Sequence, residues 1–221
     1  MSDFETRLRD GLLRCARAPA DSRFRLTLGE TGVWIADARR DDLHYLEAPD
    51  VTPDQALTPL KRLTGIAGWR LRAGEGIKRR QLTLTPADGE ASTIVIEGRV
   101  AESDSRLVLD LHLRPGTGRV GLMIGRFQPP HYGHVRTIER MLQECDTVLV
   151  CVGSTQLKAQ VRHPFPWEVR KEMLTRLFDQ RVRMLPLVDI DSLDTKEDWL
   201  DYVLARLRKQ NLPEPTDFYA G

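Results

Sequence analysis

The chain has 221 residues, 41% apolar and 29% charged, with a formal net charge of +1. That length suits one large domain or two ordinary ones, and the composition is that of a soluble globular protein. The balanced charge gives nucleic-acid binding no global support, no apolar stretch reaches membrane-helix length, and the N-terminus lacks a signal-peptide core, which excludes those classes from the reading.

The cysteines, Cys15, Cys145 and Cys151, are odd in number and match no zinc or redox spacing. They read as small core residues of a protein kept in a reducing cytoplasm.

In chain order, Phe4, Leu8, Leu12, Leu13 and Cys15 recur at helical spacing. Phe24–Leu28 and Gly32–Ala36 follow as strands. Thr52 before Pro53 is a helix start, a capping hydroxyl and then a proline in the first turn. That helix is expected to reach about Leu63 and stop at Gly65, with Pro59 as a point of kinking or splitting. Gln81–Thr85, Ser92–Glu97 and Arg106–His112 alternate at period two, with Ala101–Ser105 as the hairpin turn. Residues 1–117 thus read as a small α+β domain with an antiparallel sheet and an unassigned role. His44 and His112 are isolated and read as structural, and Lys78–Arg80 as a solvated strand end. The stretch from Leu60 to Asp110 resembles the domain ahead of the motor in type II secretion and pilus-assembly ATPases. No GxxxxGK[ST] loop follows it, so no ATPase activity is carried over.

The Pro/Gly-rich stretch Arg114–Arg119 marks a connection, with the boundary at about residue 117. Strand and helix alternate beyond it. Expected are a strand at Val120–Ile124, a helix at Val135–Glu144, an unbroken apolar strand at Thr147–Val152 and a helix at Trp167–Phe178. A strand at Arg181–Val188 comes next. A helix at Lys196–Lys209 follows with Trp199, Val203, Leu204 and Leu207 on one stripe, and a last strand opens at Asp217. This is an α/β pattern, a Rossmann-like parallel sheet with ligands beyond the carboxyl ends of its strands.

Between the first strand and helix of this half stands Gly125-Arg-Phe-Gln-Pro-Pro-His-Tyr-Gly-His134. A helix entrance offers free backbone N–H groups and a positive dipole end, so it suits phosphate, and His131 and His134 add two imidazoles there. The string resembles the signature of the nucleotidylyltransferase superfamily, and most the GRFQP-type nicotinamide-mononucleotide (NMN) adenylyltransferases.

That resemblance implies transfer of adenylate from ATP to a nucleotide monophosphate, with Mg2+ accompanying the ATP. It makes His131, His134 and Arg126 the catalytic residues and gives Gly125, Phe127, Gln128 and Gly133 to the nucleotide cleft. Gly125, Phe127 and Gln128 would act through backbone groups. Gly153-Ser154 after the second strand would meet the nucleotide through its backbone. His163-Pro-Phe-Pro-Trp-Glu-Val-Arg170 resembles the family's Asn-Pro-Phe and following helix, with His163 in place of the asparagine and Val169 in place of the glutamate. Arg170 would reach pyrophosphate or pair with Glu168 or Glu172. Asp189, Ile190 and Trp199 would hold the acceptor, Trp199 stacking on the nicotinamide ring or packing in the core.

The resemblance covers residues 119–221 and stops before the family's Ile-Ser-x-Thr-x-x-Arg motif. The expectation is therefore an incomplete nucleotidylyltransferase fold, C-terminally shortened. No protein-bound metal, nucleic acid or membrane partner is expected, and a homo-oligomer is possible. The alternatives are a cytidylyl- or other adenylyltransferase of the superfamily, or a non-catalytic nucleotide-binding or scaffold protein.

Overall fold

The computed structural model describes residues 2–29, 32–64, 76–86, 89–103, 106–157, 161–189 and 198–220. The chain divides into two compact units, Met1–Thr117 and Gly118–Gly221.

The first unit begins with α1 (Asp3–Ala16), capped by the Ser2 hydroxyl, which accepts from Glu5 N–H at 3.2 Å. Its stripe of Phe4, Leu8, Leu12 and Cys15 is buried, and each such leucine contributes about 2 kcal/mol by leaving water. Six strands follow: β1 (Phe24–Gly29), β2 (Gly32–Asp37), β3 (Arg40–Ala48), β4 (Lys78–Leu84), β5 (Ser92–Ser103) and β6 (Arg106–Pro115). They form one antiparallel sheet in the order β3-β2-β1-β6-β5-β4. Alternate residues, Phe24 and Leu26, Val33 and Ile35, Ile94 and Ile96, Leu111 and Leu113, share one core with α1 and with α2 (Pro53–Thr64). Arg62 on α2 pairs with the buried carboxylate of Glu5 on α1.

Three features depart from the sequence reading. β3 is an added strand, obscured because charged Arg40-Asp41-Asp42 opens it and register shifts beside Ala36 break its alternation. α2 runs unbroken through Pro59. It forgoes only the bond that residue 59 would donate, and its start is secured by Gln55 Oε1 accepting from Thr52 N–H at 2.9 Å. The hairpin strands reach Ser103↔Arg106, so pairing takes in most of the expected turn. The expected helix stop at Gly65 lies outside the described residues.

The second unit comprises β7 (Val120–Gly125), α3 (Tyr132–Glu144), β8 (Thr147–Val152), α4 (Trp167–Phe178), β9 (Arg183–Pro186), α5 (Trp199–Lys209) and β10 (Asp217–Tyr219). Its four strands are parallel, in the order β10-β7-β8-β9. Val148, Val150 and Val152 pack with Ile138, Met141, Leu174 and Phe178 of α3 and α4. Leu149 and Cys151 pack with Tyr202, Val203 and Leu207 of α5 on the opposite face. β8 is therefore covered on both sides, which is why its sequence is apolar throughout. Burial pushes the Cys151 thiol up to about 12, as it does Cys15. Chain order reverses at β7, since β8 lies on one side of it and β10 on the other, and such a switch point opens a crevice at the carboxyl ends of the strands.

β9 is shorter than expected. Beyond Pro186, Leu187 donates to Val152 O at 2.8 Å and its own carbonyl accepts from Thr155, which turns the chain into a loop. The expected start of the third helix at Lys196 lies outside the described residues, among which no helix is long and apolar enough to cross a membrane.

Candidate active site

β7 ends at Gly125, and the six residues that follow turn back to enter α3 at its N-cap, His131. Two constraints shape the turn. Phe127 has φ +50° and its ring is buried, so a Cβ on Gly125 would meet that ring at 3.1 Å. The Gln128–Pro129 bond is cis.

The rings of His131 and His134 stack with centroids 3.6 Å apart and planes 28° apart. His131 N–H donates to His134 Nδ1 at 3.2 Å. With Nδ1 accepting, the proton of a neutral His134 sits on Nε2, which makes that atom a donor. The Phe127 ring lies 4.5 Å from the His134 ring. Burial lowers the His134 pKa, and charge on His131 adds to the effect. A Cβ on Gly133 would meet the His131 ring at 3.1 Å, so the glycine leaves that ring its place. The Arg126 side chain is exposed, and its guanidinium has no bonding partner among the described residues.

Three loops at the strand ends are joined by backbone and side-chain bonds. Gly153 N–H donates to Gly125 O at 2.9 Å, joining the ends of β7 and β8. Gln128 was expected to act through its backbone, and its side chain is bonded as well. Its Nε2 donates to Phe165 O at 2.9 Å and its Oε1 accepts from Phe165 N–H at 3.0 Å, a strand-like double bond that docks the loop before α4.

Arg170 is bonded to neither of the carboxylates expected to pair with it. Its side chain is fully buried and points to neither Glu168 nor Glu172. Nη1 donates to Arg126 O at 2.7 Å and Gly153 O at 2.8 Å, and Nη2 to Ser154 O at 3.2 Å. Its place on the inward face of α4 turns it to these carbonyls. Desolvation lowers its pKa.

Ser154, at φ +54°, donates through Oγ to Asp189 Oδ1 at 2.9 Å. Gln156 Nε2 donates to Asp189 Oδ2 at 2.9 Å. Asp189 thus ties the loop after β9 to the loop after β8, and Gln156 is a residue of this cluster that the sequence reading did not single out. Trp199 is 45% exposed, off the α5 stripe of Tyr202, Val203 and Leu207. It was expected on that stripe, but at the first turn of α5 it faces solvent. Ile190 lies outside the described residues. Gly125, Arg126, Phe127, Gln128, His131, Gly133 and His134 come together in one turn, and Gly153, Ser154, Arg170 and Asp189 are bonded into it directly or through a neighbour.

A parallel sheet with its chain reversal at β7 and two stacked imidazoles at the following helix entrance make an α/β unit whose helix mouth suits an anion. Residues 122–210 match the family described as Cytidylyltransferase-like. Over that stretch the second unit resembles the nucleotidylyltransferase superfamily and, within it, the NMN adenylyltransferases. The nicotinamide-nucleotide adenylyltransferase of Pyrococcus horikoshii is 38% identical over 88 residues, covering 38% of this chain and 46% of that protein. That of Thermoplasma acidophilum is 34% identical over 84 residues, 38% of this chain and 47% of that protein. The chain thus spans about half the length of the curated relatives it matches. A crystal structure of a bifunctional NMN adenylyltransferase/ADP-ribose pyrophosphatase from Francisella tularensis, complexed with AMP and manganese, aligns with 27% identity. It covers 46% of this chain and 31% of that one, with a TM-score of 0.40.

Proposed function

We propose that the second unit transfers adenylate from ATP to nicotinamide mononucleotide, releasing pyrophosphate and forming NAD. The observation that carries this reading is the stacked pair His131 and His134 at the entrance of α3.

A phosphate oxygen of the acceptor, already anionic, attacks the α-phosphorus of ATP. The new P–O bond forms as the bond to the pyrophosphate oxygen breaks, so no protein nucleophile or base is needed. What the protein must supply is positioning and charge stabilisation. His134, donating through Nε2, and His131 meet oxygens whose charge grows along the path, each worth about 3 kcal/mol of barrier. The unpaired guanidinium of Arg126 offers a fork of donors to the polyphosphate. Asp189 and Trp199 stand at the end of β9 and the start of α5, where an acceptor ring can lie on the exposed indole.

No cluster of three or more His, Cys, Asp or Glu side chains suited to a metal occurs among the described residues. Mg2+ would accompany the nucleotide and would draw off negative charge from its phosphates.

The test is NAD formation by the full chain from ATP, NMN and Mg2+, with His134→Ala as control. A loss of about a hundredfold or more in kcat is expected, and activity indifferent to that substitution overturns the assignment. The second reading, CTP as donor, is favoured by the description of the matching family, and the same assay with CTP separates the two.

A further inference from the structure

Arg170 makes three bonds to backbone carbonyls and none to a carboxylate among the described residues. Two of those carbonyls, Arg126 O and Gly153 O, belong to trans peptides, since Gln128–Pro129 is the cis bond in this stretch. A trans peptide sets its N–H antiparallel to its C=O. Pulling these carbonyls towards the guanidinium therefore turns the N–H groups of Phe127 and Ser154 away from it. Both N–H groups lack an acceptor among the described residues, although both residues are buried. Buried backbone donors are seldom left so. Both residues also have positive φ, +50° and +54°, so each N–H is set by a turn rather than by a strand ladder. The third carbonyl, Ser154 O, belongs to a peptide whose N–H, on Thr155, is already used by Leu187 O at 3.0 Å.

We infer that Arg170 is a positioning residue: from behind the loops that follow β7 and β8, it aims the N–H groups of Phe127 and Ser154 as a donor pair for phosphoryl oxygens. That the anion is a nucleotide phosphate rests on the adenylyltransferase reading. The loop geometry does not. Arg170 holds the site without touching its ligand, and its planar fork, rather than its charge alone, is what spans three carbonyls.

The experiment titrates 15N-labelled full chain with inorganic pyrophosphate and follows amide signals in the wild type, Arg170→Lys and Arg170→Met. Hydrogen exchange without ligand is measured at Gly153 and Thr155, whose N–H groups bond Gly125 O and Leu187 O. In the wild type, the Phe127 and Ser154 amides move with pyrophosphate. In both variants, affinity falls at least tenfold and exchange at Gly153 and Thr155 quickens at least tenfold, while the β8 amides stay protected. If Arg170→Met does not fold, Arg170→Lys and the wild-type titration still decide the matter. Full affinity in Arg170→Lys overturns the inference, because charge would then suffice. Lost affinity with unchanged loop exchange also overturns it, because Arg170 would then touch the anion. So does pyrophosphate binding that leaves Phe127 and Ser154 unmoved. A wild type that makes no NAD but moves those two amides retires the proposed reaction and leaves this inference standing.

Discussion

His131 and His134 are stacked ring on ring, and the backbone N–H of the first donates to Nδ1 of the second. A charge on either ring is felt by the other at 3.6 Å, so the free site favours at most one imidazolium and an arriving polyanion relieves the repulsion. Burial, then charge on His131, holds His134 below the ordinary histidine range. The folded value is the lower one. The contribution of His134 to stability is therefore present above the unfolded pKa of about 6.5 and is lost as pH falls through the folded value. In an NMR titration, His134 should give a lowered pKa in the free chain, a rise towards the ordinary value on adding pyrophosphate, and a partial rise in His131→Ala. An unshifted His134 in the free chain would contradict this account.

Ser154 and Asp189 join loops 35 residues apart. Ser154→Ala should cost about 1 kcal/mol of unfolding free energy, the usual net worth of one such bond. Asp189→Ala should cost more, because Gln156 loses its acceptor as well. A double-mutant cycle of the two is expected to show coupling of about 0.5 kcal/mol or more. Strict additivity in denaturant unfolding would show that the bond is not formed in solution.

Gln128 is tied to Phe165 by a donor and an acceptor at once, so its amide cannot be replaced by a carboxylate without setting oxygen against Phe165 O. Gln128→Glu should be the worse of two substitutions, destabilising by about 1–3 kcal/mol, with Gln128→Ala milder. Thermal melting of both variants checks the order, and equal melting points would sink the double-bond account.

Trp199 is expected to matter for the acceptor and little for folding. An indole 45% exposed on the first turn of α5 has no core to lose, so Trp199→Ala should shift stability by no more than about 0.5 kcal/mol. Under the adenylyltransferase reading it should raise KM for NMN roughly tenfold, the worth of about 1–2 kcal/mol of stacking, and leave KM for ATP near its starting value. A large fall in stability would mark the residue as structural instead.

Arg119 fastens β10 to the start of β7 by two bonds to Asp217, at 2.7 and 3.1 Å, and one to the Tyr219 hydroxyl at 3.2 Å. The hydrogen bonds from Arg119, then Thr216, hold Asp217 below its usual carboxylate range. Its stabilising effect is present above the unfolded pKa of about 3.9 and disappears as pH falls through the lower folded value. Hydrogen exchange at Phe218 and Tyr219 should therefore quicken at acid pH before the β8 amides respond, and molar salt should weaken the tie. Simultaneous loss of β8 and β10 protection would refute a local fastening.

Much of the second unit was legible because its signals are local. The apolar run of β8, the helical stripes of α3 and α4 and the ten residues from Gly125 to His134 each lie within one short stretch. The first unit was harder. β3 hides behind charged residues and a register shift, and the turn residues between β5 and β6 do not say how far pairing continues. In the site, side-chain partners 35 and 37 residues apart, Ser154 with Asp189 and Gln128 with Phe165, leave no periodic trace.

By itself the sequence determined that a buried parallel strand leads through a glycine- and proline-bearing turn into a helix with two imidazoles at its mouth. Backbone preference and apolar periodicity act over a few residues, and those are properties of a chain before it folds. Only the tertiary structure decided that Arg170 faces inward to three carbonyls, that the Gln128 amide bonds Phe165 and the Phe127 ring lies against His134, and that Trp199 faces water. Those outcomes depend on which polar group finds a partner once water is excluded, and the partners come from loops that meet only when the sheet has assembled.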